Sequence, residues 1–154
     1  MEIKTHMTKE SDLALRKTTP QDQGGQTFKP KGLWYAIGDA WLDWCGSEMP
    51  DWVAPYIYTF EILVDNNILF LNTIELVQEF TKQYRVELFK GYYNIDWGQV
   101  TKHYDGVEFN PYFNGIRFNP NLMWYSGIDV PSGVIFNTDI VTNLRLIAKE
   151  HIYT

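Results

Sequence analysis

The chain has 154 residues, 45% of them apolar, which is typical of one folded domain and not of a disordered segment. Its net charge of −6 argues against dedicated duplex binding, which needs a basic face. The single cysteine, Cys45, excludes an intramolecular disulfide, and the three histidines lack metal-ligand spacing, so we expect no metal site. The polar N-terminus resembles no secretory signal and no apolar run could span a membrane, so we expect a cytoplasmic location.

The first part of the chain predicts a loose arm and then a strand–loop–strand unit. Residues 1–11 are polar and are expected to form a flexible arm, which leaves residues 12–154 as a single domain. The apolar LALR at 13–16 and the GLWYA at 32–36 predict two short strands. The Pro-, Gly- and Gln-rich stretch between them predicts a loop.

A helix is predicted directly after the second strand. Asp39 is placed as its N-cap, and the helix is expected to end at Gly46 or Pro50. Its apolar positions are Trp41, Leu42, Trp44 and Cys45.

The middle of the chain gives the clearest periodicity. Residues 56–64 alternate β-branched and aromatic side chains and predict a strand, and ILFL at 68–71 predicts its hairpin partner or an edge strand. Asn72 and Glu75 form a capping-box pattern at the start of a second helix. Its inward positions are Ile74, Val77, Phe80 and Tyr84. A third, weaker helix is predicted from Asp96.

The last third is punctuated by glycine, proline and asparagine, which favours short strands. These are predicted near residues 106–109, 122–126, 133–137 and 142–148. The pattern as a whole predicts an α+β fold, with a split, mainly antiparallel β-sheet core and flanking helices in the first two thirds.

The segment from residue 28 to residue 44 is the most unusual in the chain. Gly32 permits a close backbone approach, and the strand that follows carries Tyr35. Tyr35 could form a flat aromatic slot with Trp41 and Trp44 that stacks a planar ring. The alternative is that these aromatic residues are simply part of the core.

These motifs resemble those of the ADP-ribosyltransferase superfamily. GLWYA, with Ala40 and Trp41 after it, is similar to that family's second motif, and LALR would then be the first motif with Arg16 toward the dinucleotide backbone. YDGVEF at 104–109 is similar to the stretch before the closing strands, and SGVIFN followed by DIVTNLRLI resembles those strands.

The resemblance implies an ADP-ribosyltransferase-like fold that uses NAD+ as a substrate. Such a protein cleaves the nicotinamide–ribose bond and transfers ADP-ribose to a macromolecular acceptor, either protein or nucleic acid. The small size would suit a phage or toxin-type effector. The implied NAD+-binding residues are Arg16, Lys31, Gly32, Leu33, Tyr35, Trp41 and Trp44.

The chain departs from the family where many members carry the catalytic glutamate, because Ser132 and Gly133 stand there. Cleavage passes through an oxocarbenium-like state that a nearby carboxylate stabilises. The candidate carboxylates are Asp129, in the turn before that strand, and Glu108, one strand earlier. Asp129 is preferred for its position, and the Ser132 hydroxyl is a candidate partner for the nicotinamide amide or the ribose.

Three cations could recognise the NAD+ diphosphate. Arg16 suits phosphate because its guanidinium group donates two parallel hydrogen bonds. Lys29 and Lys31 flank Pro30 beside the expected cleft and could add positive potential, or they could be ordinary surface lysines. Two other functions remain open: a non-catalytic protein-binding inhibitor of phage type on the same scaffold, and an NAD+ hydrolase that needs no acceptor.

Overall fold

The computed structural model describes residues 3–24, 28–52 and 54–147, which form a mixed α+β fold around one large, mostly antiparallel sheet. In chain order the strands are β1 (Lys4–Thr8), β2 (Leu33–Ile37), β3 (Tyr56–Ile62), β4 (Ile68–Phe70), β5 (Arg85–Phe89), β6 (Tyr92–Ile95), β7 (Gly106–Phe109), β8 (Ser132–Ile135) and β9 (Val141–Ile147). The α-helices are α1 (Ala40–Glu48), α2 (Ile74–Tyr84) and α3 (Trp97–His103). Within the described residues, no helix has the length and apolar character needed to cross a membrane.

The large sheet has seven strands in the order β4-β7-β8-β2-β1-β3-β9. All neighbours are antiparallel except β4 and β7, which are parallel. Hydrogen bonds run through the whole series, and β2 pairs with β8 over four residues, Leu33–Ala36. The sheet is therefore continuous, and the predicted division into two halves is not seen.

The N-terminal segment is the largest correction to the predicted fold. Lys4–Thr8 is not a flexible arm but a central strand, paired with β2 on one side and β3 on the other. A polar side chain of this strand stabilises the sheet: the Thr5 hydroxyl donates to the Gly38 carbonyl at 2.8 Å. The strand predicted at 13–16 does not form, and this stretch is irregular. It is attached through the Leu13 amide, which donates to the Tyr58 hydroxyl.

The three predicted α-helices are confirmed, with differences at their N-termini. Asp39 is the N-cap of α1, but its side chain makes no capping hydrogen bond. The hydroxyl of Thr73, and not Asn72, caps α2 by accepting from the Leu76 amide. Asp96 caps α3 as expected. The α-helices lie in the first two thirds of the chain, as predicted.

Among the strands, the positions of β3, β7, β8 and β9 agree with the prediction, although residue 148 lies outside the described residues. β4 is an edge strand but not a hairpin partner of β3, since it pairs with β7. The segment 122–126 is helical and not extended, because Pro120–Gly127 forms 3-10 turns started by the Asn119 cap. The β5–β6 hairpin has no counterpart in the prediction.

The alternation of side chains divides the sheet into two faces with separate cores. The helix-covered face carries Trp34, Val107, Phe109 and Val134, packed against residues of α2, α3 and the Pro120–Gly127 turns. The opposite face carries a smaller cluster of Tyr35, Phe60, Ile68, Ile135 and Ile140. Successive residues of β2 therefore have different surroundings: the side chain of Trp34 belongs to the first cluster and that of Tyr35 to the second.

A buried hydrogen bond connects β2 to β7 across the intervening strand β8. The Tyr35 hydroxyl donates to Glu108 Oε1 at 2.8 Å, and both residues are buried. Their side chains can meet because Gly133 pairs with both residues and has no side chain. A Cβ at Gly133 would lie 2.3 Å from the Tyr35 ring and hydroxyl. Glycine is therefore required at this position by packing.

We predict that Gly133→Ala lowers the free energy of unfolding by about 2–4 kcal/mol, because the new methyl group displaces the Tyr35 ring from a packed core. The matched control is Gly46→Ala in α1, where a Cβ meets no group within 4 Å among the described residues. That change should raise the stability by about 0.5–1 kcal/mol through helix propensity. Urea denaturation checks both values. Equal, small effects at the two sites would contradict the packing argument.

Candidate functional site

A pocket of about 260 Å³ lies on the helix-covered face of the sheet, beside the main core. Its floor is formed by β1, β2, β3 and β8, and its walls come from α1, the loop before β2 and the segment before β8. The lining residues are Thr5, His6, Met7, Lys29, Trp34, Tyr35, Ala36, Trp41, Leu42, Ile57, Ile128, Asp129, Val130 and Ser132. Most of this surface is apolar, with a few polar groups at the edge, as is usual for small-molecule sites.

Lys29 and Trp34 form one wall of the pocket. The Lys29 ammonium lies 4.4 Å from the centroid of the Trp34 ring, a cation–π distance. Lys29 is an exposed residue, but partial desolvation of its amine lowers the pKa of Lys29. The nearby Asp129 carboxylate acts in the opposite direction. The Trp34 indole is fixed by its N–H, which donates to the Pro30 carbonyl at 3.0 Å.

Asp129 supplies the carboxylate of the pocket. Arg117 holds it in place, since Nη2 of the guanidinium lies 3.2 Å from Asp129 Oδ1 and also donates to the Ser126 carbonyl at 3.3 Å. The two side chains are 24% and 19% exposed, so this ion pair is partly shielded from water. The arrangement orients one carboxylate oxygen toward Arg117.

Two polar strand residues belong to the lining, but only Ser132 shares the pocket face with Ala36. His6 pairs with Tyr58, two residues from Phe60, so its side chain lies on the face of Tyr35. Ser132 is buried and pairs with Ala36 across β8 and β2. The His6 ring approaches the Trp34 carbonyl, with 2.6 Å between Nδ1 and the oxygen. In the neutral tautomer with a proton on Nδ1, the ring donates this bond. Burial lowers the pKa of His6, which favours the neutral form.

The structure brings some of the sequence-predicted residues together and separates others. Those that line the pocket are Tyr35, Trp41, Asp129 and Ser132, joined by Lys29. Those that do not line it are Arg16, Lys31, Gly32, Leu33, Trp44 and Glu108. Gly32 does permit the close backbone approach expected of it, but the neighbour is β8, because a Cβ there would lie 2.9 Å from the Ile135 carbonyl oxygen.

The predicted aromatic slot between Tyr35 and the two tryptophans of α1 does not exist. The Tyr35 ring packs edge-on against Phe60, at 5.6 Å between centroids, on the opposite face of the sheet. Its hydroxyl is committed to Glu108, and both its burial and that carboxylate raise the pKa of Tyr35. Alternation along β2 explains the difference, since Trp34 and Ala36 are the residues whose side chains face the pocket.

Arg16 also lies elsewhere than expected. It is an exposed residue of the irregular segment before Pro20, and its charge acts on Asp22. Because no strand forms at 13–16, nothing directs its side chain to the pocket.

The pocket includes residues that the sequence motifs do not single out. Three of them, Thr5, His6 and Met7, belong to the lining because β1 is a central strand. The alternation of KTHMT is compatible with such a strand. Arg117 does not line the pocket but holds Asp129, and no local sequence pattern indicates this partner. Lys29, considered in the sequence as either a cleft or a surface lysine, lines the pocket.

Comparison with known proteins adds no assignment: no family model, curated protein or solved structure matches this chain. The chemistry of the site therefore has to be inferred from its own geometry and from the motifs described above.

The lowered pKa of His6 predicts a pH dependence of stability. Below the ordinary value of 6.5, the unfolded chain binds a proton at His6 that the folded chain resists. The free energy of unfolding should therefore fall as the pH decreases from about 6.5, since more protons are bound in the unfolded state. His6→Asn keeps a donor near Nδ1 and does not titrate, so it should remove this part of the slope. Urea denaturation between about pH 7.5 and pH 5 tests it. An identical slope in the variant would contradict the assignment.

Proposed function

We propose that the chain is an NAD+-dependent ADP-ribosyltransferase, an ADP-ribosyltransferase-like α+β protein that cleaves the nicotinamide–ribose bond and passes ADP-ribose to a macromolecule. The observation that carries the proposal is the convergence of Asp129, Ser132 and Trp41 on one pocket beside Lys29. Trp41 follows the GLWYA motif, whereas Asp129 and Ser132 lie at the start of the SGVIFN motif, far along the chain. Their convergence supports a common site.

The size of the pocket suits one end of the dinucleotide. Ligand pockets usually measure about 300–1,000 Å³, so the pocket of about 260 Å³ is slightly smaller than that range. A flat ring with its sugar is a better match for such a volume than a whole dinucleotide. In the proposal the nicotinamide riboside occupies the pocket, with Trp41 beside the ring, and the remainder of NAD+ extends toward solvent past Lys29.

Asp129 is the proposed catalytic carboxylate. As the glycosidic bond breaks, positive charge develops at C1 and O4 of the ribose, and a fixed anion close to that position stabilises the transition state. Arg117 keeps Asp129 oriented through its ion pair at 3.2 Å. Ser132 is the proposed hydrogen-bonding partner of the nicotinamide amide or the ribose hydroxyls. Glu108 is not assigned to this role, because it is buried with Tyr35 away from the pocket lining.

Lys29 is the proposed diphosphate contact, in place of Arg16. Its ammonium group lines the pocket and is held above Trp34, whereas Arg16 is exposed and does not reach it. A cation beside the pocket attracts the doubly charged diphosphate. The phosphate would also offset the burial that disfavours the charged amine.

The first test of the proposal is nicotinamide release from NAD+, measured with a cell extract as a source of acceptors. Asp129→Asn removes the charge at constant volume and should lower kcat on the order of 10²–10³, as for other lost transition-state contacts, with little change in NAD+ affinity. Glu108→Gln should have a mild effect on turnover. Thermal melts of both variants exclude misfolding. The reverse pattern would move the catalytic role to Glu108, and no release by the wild-type protein would refute the transferase.

The second test separates the two cations by NAD+ titration calorimetry. Lys29→Met keeps the apolar stem and removes the charge, so Kd should rise about tenfold, the value of one charge-assisted contact. Arg16→Ala is the matched control and should leave Kd unchanged. A larger effect at Arg16 than at Lys29 would show that the diphosphate follows a different path.

A further inference from the structure

Next to the pocket, three tryptophans form an exposed aromatic surface, here called the tryptophan patch (Trp41, Trp44 and Trp52). The rings of Trp41 and Trp44 are stacked at 5.0 Å with 12° between their planes. The centroid of the Trp52 ring lies 5.7 Å from that of Trp44 and 6.2 Å from that of Trp41. Trp52 is 52% exposed, and Trp41 and Trp44 are half-buried, so the patch is partly open to solvent. Contiguous exposed aromatic area of this kind usually marks a binding surface.

The segment that carries the patch has charges of one sign. Residues 38–52 contain four ionisable groups besides the buried Cys45 thiol, and all four are carboxylates. They are exposed, and they belong to Asp39, Asp43, Glu48 and Asp51. Glu48 lies one helical turn beyond Trp44, and Asp51 directly precedes Trp52. Electron-rich indole faces and nearby carboxylates both attract cations.

The same charges disfavour the other candidate occupants. A nucleic acid or the diphosphate of NAD+ would bring negative charge close to these carboxylates, at a cost in electrostatic repulsion. The same repulsion makes Trp44 a poor candidate for NAD+ binding, although the sequence resemblance implies that role for both Trp41 and Trp44. A peptide whose cations are guanidinium groups fits best, because guanidinium both stacks on indole and pairs with carboxylates.

The patch is continuous with the pocket through Trp41. That residue stacks on Trp44 and also lines the pocket, as Lys29 does. The pocket therefore has an ammonium group in its lining, and exposed carboxylates lie along the neighbouring helix α1. An anionic substrate and a cationic partner could approach the same pocket from different directions.

We propose that the tryptophan patch binds an arginine-rich segment of a partner protein, which it positions at the pocket entrance. The identification of that partner with the ADP-ribose acceptor rests on the proposed function, whereas binding of the segment does not. The acceptor is then a protein with a basic, accessible segment.

Binding is tested by calorimetry at low ionic strength with a synthetic peptide of about 12 residues that alternates arginine with glycine. A second peptide has citrulline in place of arginine, which keeps the shape of the side chain and removes its charge. A third has glutamate. The arginine peptide should bind and the other two should bind at least about tenfold more weakly, because both the cation–π and the ionic contacts need the charge.

Variants locate the binding surface. Two variants should each lower the affinity for the arginine peptide about tenfold: Trp52→Ala, and the double variant Glu48→Gln/Asp51→Asn. These side chains are exposed, so the variants are expected to fold, and thermal melts check this. Phe89→Ala is the control, since Phe89 is 64% exposed on the β5–β6 hairpin. It should not change the affinity.

The outcomes separate the two proposals. Binding of the arginine peptide without NAD+ binding would support the patch and refute the transferase. NAD+ binding without peptide binding would support the transferase and refute the docking surface. Equal binding of the citrulline or glutamate peptide, or unchanged affinity in the patch variants, would overturn the proposed docking surface.

Discussion

The hydrogen bond from Tyr35 to Glu108 across Gly133 is the constraint on which the rest of this structure depends. It joins three strands, β2, β8 and β7, on the opposite face of the sheet, and it requires a glycine in the middle one. A shift of one residue in either pairing would turn every side chain to the other face. With this register fixed, Trp34, Ala36 and Ser132 must face the helices, where they form part of the pocket floor. The site is therefore a consequence of how the opposite face packs.

Charge is distributed unevenly around this pocket, although the chain as a whole is acidic. Lys29 faces the interior from the loop before β2, and Arg117 is engaged with Asp129 behind the wall. The carboxylates of α1 and of the turn after it belong to the segment that carries the tryptophan patch. Net charge predicts only that the protein avoids polyanions. The local distribution is the physical basis for the two ligands proposed above, an anionic substrate and a basic peptide.

Sequence patterns predict the elements of this fold better than their arrangement. The 3.6-residue periodicity of α2 and the alternation of β3 are local properties, and both elements form where they are expected. The central position of β1 is not a local property: it depends on pairing with two strands that are distant in the sequence. The same limit applies to the site. Asp129 could be chosen from its place before β8, but its pairing with Arg117 depends on tertiary packing. The direction of the Tyr35 side chain depends on a strand register that no single strand reveals.

The most direct test of the central claim is a crystal structure of the protein soaked with NAD+ or with nicotinamide. The account predicts that the nicotinamide ring lies in the pocket beside Trp41, with Ser132 within hydrogen-bond distance and the Asp129 carboxylate facing the ribose. It also predicts that the Tyr35–Glu108 hydrogen bond remains intact. Density for the ligand on the opposite face, with Tyr35 and Glu108 separated to receive it, would contradict the account.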